Sequence, residues 1–165
     1  DIDNHAFDEK YLPIRSMYLH GVIGSGKTTY ACLAILEFAK KLFWDKLPVF
    51  GSIVRSIIFI TPLELFQEIK STYDKRSVQT EQEIIAAYKS VPLLVLDDIG
   101  TIDTKALAYQ ILYMILTYRY NEMLPTIFTA NVDLDELATQ LEDERLPSRI
   151  AHDCEIIQFT KNHRN

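Results

Sequence analysis

The chain has 165 residues, 17 Lys plus Arg against 23 Asp plus Glu, a formal charge of −6 and a 48% apolar composition. A core at this length buries roughly 70% of the unfolded chain's surface, so neither disulfides nor a structural metal is required, and a second full domain is excluded. Cys32 and Cys154 show no CxxC pairing, no run reaches the ~18 apolar residues of a membrane span, and the start Asp1-Ile2-Asp3-Asn4-His5 is polar and acidic; the expected location is therefore a reducing cytoplasm. The chain opens without Met, so an N-terminal part with other functions is expected to lie outside it. Net acidity argues against a broadly nucleic-acid-binding surface but leaves room for a local basic groove.

Strand and helix patterns alternate. Ser16 to His20 reads as a short strand running into Gly21, Gly24 and Gly26, three of the five glycines, and Lys27 to Leu42 reads as a helix. Leu47 to Arg55 looks irregular. Ile57 to Ile60 suits a buried strand, and Thr61, Pro62 and Glu64 form a capping-box start for the next helix. A polar break from Asp74 to Thr80 precedes a helix at about Glu81 to Lys89. Leu93 to Leu96 fits a central parallel strand ending in Asp97-Asp98. A long helix, roughly Thr104 to Glu122, is apolar around much of its circumference; a strand at Thr126 to Thr129, a helix at Asp133 to Leu141, a short helix containing Pro147 to Ala151 and a closing strand at Glu155 to Phe159 follow. Five strands separated by helices imply a parallel sheet with right-handed crossovers.

Gly21-Val22-Ile23-Gly24-Ser25-Gly26-Lys27-Thr28 matches G-x-x-x-x-G-K-[ST] between a strand and a helix, the context that gives the pattern its meaning. Glycines let successive N–H groups point inward, the helix N-terminus adds positive partial charge, Lys27 reaches β- and γ-phosphates and Thr28 is placed to ligate Mg²⁺. Gly21, Gly24, Ser25, Gly26, Lys27, Thr28 and Thr29 are the expected nucleotide-binding residues, with ATP and Mg²⁺ the expected cofactors. Asp97 is positioned to share Mg²⁺ with Thr28, and Asp98 to polarise an attacking water. For Asn131 two readings stay open from spacing alone: it orients that water, or it merely ends a strand. Arg145 and Arg149 likewise either pair with Glu142, Asp143 or Glu144 on a solvated face, or are presented to a neighbouring subunit's γ-phosphate.

The P-loop, Ile57 to Pro62, "LLVLDDIG" from Leu93 to Gly100, "LPTIFTAN" from Leu124 to Asn131 and "ERLPSRI" from Glu144 to Ile150 together resemble the AAA+ ATPases. Within them the chain looks like the bacterial replicative-helicase loaders of the DnaC/DnaI type and their relatives, the transposition helper ATPases. The resemblance implies an α/β P-loop NTPase over residues 1–165, a single AAA+ domain with a five-stranded parallel sheet of order 5-1-4-3-2. It implies no C-terminal helical lid, since the chain stops soon after Phe159, and an N-terminal helicase-binding domain outside the chain. Lys27 and Thr28 then resemble the Walker A lysine and metal ligand, Asp97 and Asp98 the Walker B pair, Asn131 sensor 1, and Arg149 an arginine finger acting in trans with Arg145 as its supporting neighbour. Aspartate at 98, where most of these ATPases carry glutamate, implies slow hydrolysis.

The implied partners are a replicative helicase, single-stranded DNA and further copies of the chain in an ATP-dependent oligomer, with no membrane involved. Lys70, Lys75, Arg76, Lys89 and Tyr73 lie where relatives hold DNA, although a solvated helix face explains each one alone. Three other readings compete: a transposition helper with the same ATPase engine, a small-molecule kinase, and a nucleotide-binding module with negligible turnover. The kinase reading leaves Asn131 and the "ERLPSRI" stretch without a role.

Overall fold

Short apolar runs and the amphipathic segments between them build a three-layer arrangement. The computed structural model describes residues 15–45, 56–74, 77–101 and 107–160. In chain order these form β1 (Met17–Gly21), α1 (Lys27–Asp45), β2 (Ile57–Ile60), α2 (Pro62–Ser71), α3 (Glu81–Ser90), β3 (Leu93–Leu96), a 3-10 turn (Ile99–Thr101), α4 (Leu107–Asn121), β4 (Thr126–Ala130), α5 (Leu134–Leu141), α6 (Arg145–Asp153) and β5 (Glu155–Phe159). The irregular stretch from Leu47 to Arg55, Lys75, Arg76 and the expected first residues of the long helix, Thr104 to Ala106, lie outside the described residues.

All four strand pairings are parallel and the order is β2-β3-β4-β1-β5, the 5-1-4-3-2 arrangement expected. Alternate side chains of a strand face opposite sides of a sheet, and here each side has its own apolar cluster. Leu93 and Val95 of β3, Leu19 of β1 and Ile127 of β4 pack with Ala31 and Phe38 of α1. Leu94, Leu96, Tyr18 and Phe128 face the other way, against Leu65 and Ile69 of α2, Ile84 and Tyr88 of α3, Leu112 and Ile115 of α4, Leu137 of α5 and Ile150 of α6. β3 is thus buried along its whole length, as its unbroken apolar run predicts.

β2 lies at an edge of the sheet, as the expected order requires, but it is not the buried strand its apolar run suggests: among the described residues it pairs only with β3, and Phe59 is 42% exposed. An apolar run of this length does not distinguish an edge from a centre, because both are covered by at least one helix layer.

Helix starts follow local chemistry. The Thr61 backbone N–H donates to Glu64 Oε2 at 2.9 Å and the Glu64 N–H returns to Thr61 Oγ1 at 3.2 Å, the reciprocal box that satisfies two otherwise orphaned donors. Thr80 and Glu83 build the same box at the start of α3, with 2.8 and 3.2 Å. The Asp133 side chain caps α5 by accepting from the Glu136 N–H at 2.9 Å.

The largest fully buried side chain among the described residues is a charged one. Arg119 of α4 is 1% exposed, and its guanidinium donates to the carbonyls of Val91 at 2.6 Å, Pro125 at 2.7 Å, Tyr88 at 3.1 Å and Lys89 at 3.2 Å, and to Thr126 Oγ1 at 3.0 Å. It joins the end of α3 to the entries of β3 and β4. Burial pulls its pKa down from the ordinary arginine value, and the neutral acceptors around it hold the charged form in place.

Candidate nucleotide site

β1 delivers the chain to the loop with backbone angles open to glycine: φ is 135° at Gly21, 78° at Gly24 and 95° at Gly26. Gly21 answers a second demand. A Cβ built there would lie 2.0 Å from the carbonyl oxygen of Phe159 in β5, so the loop's first residue is also the place where the last strand closes on the sheet. Lys27 is 8% exposed, and its Nζ donates to the carbonyls of Gly21 at 2.8 Å and Val22 at 2.9 Å, bracing the loop from inside. Desolvation lowers the Lys27 pKa, while Asp98 and Asp97 act to keep it charged. Ser25 Oγ is buried with no hydrogen-bond partner among the described residues, an orphaned polar atom that fits a loop built to take a polar ligand.

The loop and the opening turn of α1 form one wall of a cleft of about 450 Å³ that includes Gly24, Gly26, Lys27, Thr28 and Thr29; Asp97, Asp98, Thr129 and Asn131 form the other. The first N–H groups of a helix have no internal acceptor and carry positive partial charge, which suits this wall to an anion.

Asp97 and Asp98 follow β3 directly, and the Asp97 N–H still bonds to Ile60 of β2 at 2.9 Å. Asp97 Oδ1 accepts from Thr28 Oγ1 at 3.1 Å and from Thr129 Oγ1 at 2.6 Å. The Thr129 hydroxyl in turn accepts from the Asp98 backbone N–H at 2.9 Å, and Asn131 Nδ2 donates to Asp98 Oδ1 at 3.2 Å. The hydroxyl and carboxylate oxygens of Thr28 and Asp97 are the hard donors that suit Mg²⁺.

Asp98 has φ 59°, a left-handed conformation that aspartate and asparagine tolerate better than other non-glycine residues because a short polar side chain bonds locally. This backbone gives a physical reason for aspartate at a position where most AAA+ ATPases carry glutamate and the resembling loaders of the DnaI type carry aspartate.

The structure therefore brings together Gly24, Gly26, Lys27, Thr28, Thr29, Asp97, Asp98 and Asn131, with Gly21 and Ser25 shaping the loop behind them. Thr129 is the participant that sequence reasoning misses. Its signal is a hydroxyl at the end of a fully buried strand, two residues before Asn131 and beside the strand bearing the acids.

Arg145 and Arg149 lie on α6, outside this cleft. Arg145 adopts the acid-paired arrangement: its Nη2 is 2.7 Å from Asp143 Oδ2 and its Nε 2.9 Å from Oδ1. Arg149 instead donates to Thr117 Oγ1 and lies over aromatic rings of α4. Of the residues considered for DNA, Lys70 and Tyr73 are exposed, the Tyr73 hydroxyl bonds to Glu81, and Lys89 Nζ sits 5.5 Å over the Tyr118 ring.

Strand order, the phosphate loop after β1 and the acids at the end of β3, one strand removed across β4, define a P-loop NTPase with an AAA+ core. The chain belongs to the IstB-like ATP-binding protein family, whose sequence model matches residues 15–164. The replicative helicase loader DnaI of Bacillus subtilis (strain 168) is 31% identical over 124 residues, which are 74% of this chain and 35% of that protein. The chain thus spans about a third of that relative's length. A crystal structure of DnaI superposes with a TM-score of 0.66 at 32% identity, covering 89% of this chain and 74% of the other. The DnaC helicase loader superposes with a TM-score of 0.67 at 24% identity, covering 94% and 82%, and shares the fold. No helix among the described residues is long and apolar enough to cross a membrane.

Proposed function

We propose that this chain is the ATP-binding and ATP-hydrolysing module of a replicative helicase loader, acting in the cytoplasm. The observation that carries the reading is the bonded chain Thr28–Asp97–Thr129–Asp98–Asn131, which links the phosphate loop to two strand ends across one cleft. In this reading Lys27 turns from its loop carbonyls toward the β- and γ-phosphates, and the opening amides of α1 bind the anion. Thr28 and Asp97 would hold Mg²⁺, which when bound neutralises charge on the phosphates. Asp98 orients the attacking water and accepts its proton, and the Asn131 amide holds Asp98 in the required rotamer.

No arginine lines the cleft among the described residues. The transition-state charge is therefore assigned to Arg149 of a second copy, and ATP-dependent self-association and single-stranded DNA contact follow as parts of the same proposal. The identity to a helicase loader favours a replicative helicase over a transposase as the partner; a pull-down against each separates the two.

The direct test is mass in solution with and without ATP and single-stranded DNA, together with ATP turnover across protein concentration. Growth in mass with ATP, and turnover rising more steeply than concentration, are expected. Rapid hydrolysis at high dilution that Arg149→Ala leaves unchanged would exclude the reading.

A further inference from the structure

The two arginines of α6 share one aromatic ring yet differ in electrostatic state. The guanidinium carbon of Arg145 lies 4.8 Å from the centroid of Tyr113 on α4, and that of Arg149 lies 5.0 Å from it. Both are within the ~6 Å over which a cation is drawn to an aromatic face.

Arg145 is held by a carboxylate. Its Nε and Nη2 engage both oxygens of Asp143 at 2.7 to 3.2 Å, and the Tyr109 hydroxyl donates to the same carboxylate at 2.9 Å. These donors keep Asp143 ionised well below the usual carboxylate range, so the charge of Arg145 is answered within its own chain.

Arg149 forms no ion pair among the described residues. Its contacts are neutral: the Thr117 hydroxyl, the Tyr113 face and the Tyr120 ring at 5.7 Å. Tyr120 is itself fixed, its hydroxyl 3.1 Å from His152 Nδ1. A planar guanidinium stacked on rings keeps its charge and much of its donor capacity for an external anion, whereas one gripped by a carboxylate must first break that pair.

We infer that Tyr113 and Tyr120 form an aromatic shelf that positions Arg149, rather than Arg145, to contact the phosphates of a nucleotide bound by a second copy of this chain. The inference rests on the proposed trans action of Arg149 and adds to it what aims that arginine and why Arg145 does not take its place. Tyr113 is a positioning residue; it touches the arginine and not the nucleotide.

A mixing experiment tests this. The donor carries Lys27→Ala, which disables its own phosphate loop but keeps Arg149; the acceptor carries Arg149→Ala and keeps its loop. Each alone hydrolyses ATP slowly, and the mixture is expected to recover turnover at saturating ATP. Adding Tyr113→Leu to the donor is expected to lower the recovered rate about tenfold without changing the acceptor's affinity for ATP, because only geometry at the transition state is lost. Tyr113→Phe in the donor keeps the ring and is expected to recover turnover, and Arg145→Ala is expected to cost far less than Arg149→Ala. Should Tyr113→Leu lower the donor's melting temperature, Tyr120→Leu is read in the same way.

Equal recovery with the Tyr113→Leu donor overturns the shelf while leaving the trans arginine standing. Loss with Arg145→Ala as complete as with Arg149→Ala overturns the choice between the two. No recovery with the simple donor overturns trans action itself, and this inference with it.

Discussion

Thr129 Oγ1 donates to Asp97 Oδ1 at 2.6 Å, which sets the direction of a carboxylate that also meets Thr28. The same hydroxyl accepts from the Asp98 N–H at 2.9 Å. Thr129→Val keeps the shape and removes both bonds. A loss of about 1–3 kcal/mol in urea denaturation is expected, since the part-buried Asp98 N–H loses the Thr129 hydroxyl. Steady-state ATP turnover should fall about tenfold with nucleotide binding retained, an interaction lost mainly in the transition state. Thr129→Ser, with the hydroxyl kept, should behave close to the original; turnover unaffected by the valine would mean that Asp97 needs no such guide.

The phosphate loop and the last strand meet at Gly21. Gly21→Ala drives a methyl into the Phe159 carbonyl at 2.0 Å, backbone against backbone, and a cost of at least about 2 kcal/mol is expected from overpacking. Gly26→Ala meets nothing within 4 Å and should cost only the left-handed strain, about 1–2 kcal/mol. Chemical denaturation without nucleotide compares the two directly, and equal costs would show that strain rather than collision governs Gly21.

Arg119 ties three chain segments together through carbonyls. Arg119→Ala leaves a cavity and unpaired acceptors, so a loss on the order of 3–5 kcal/mol is expected by thermal or urea unfolding. Arg119→Lys should recover little, because a single ammonium does not reproduce the planar fork. Full recovery by lysine would reduce the role of Arg119 to that of a point charge.

Much of this organisation is legible in one dimension because it depends on neighbours in sequence. The glycine loop, the Thr61 box and the apolar run before Asp97 each state their chemistry within a few residues. The Thr80 box has the same spacing as the Thr61 box and was equally open to reading, but it lies in a polar stretch that looks like a break. Arg119 and Thr129 are different: their partners come from strand register and helix crossing, so a helix that looks apolar around its axis hides the one side chain that binds three segments. Arg145 takes the local pairing with Asp143 that spacing offers, whereas the state of Arg149 is settled by Thr117 and Tyr113, supplied by a helix about thirty residues away, a distance that spacing on α6 does not encode.

Acid titration tests the Asp143 pair. The Arg145 hydrogen bonds hold the Asp143 carboxyl below its ordinary range, so its contribution is complete above the unfolded value of ~3.9 and is lost as pH falls through the lower folded value. Asp143→Asn should therefore unfold at a lower temperature than the parent at pH 7, and the gap should close below about pH 3.9. Because the Arg145 side chain is 69% exposed and screened by solvent, the gap should be small. Thermal melts from pH 7 to pH 2 check this, and a gap that widens on acidification would contradict the sign.

The left-handed backbone at Asp98 limits which residues the position accepts more tightly than the side chain's reach does. A longer acid would gain length, but glutamate tolerates a positive φ less well than aspartate does. If Asp98 has the role proposed for it, substitution at 98 alone should therefore disappoint. A faster variant would first need the turn between β3 and Ile99 rebuilt, which moves the limit from a side chain to the φ torsion of one residue.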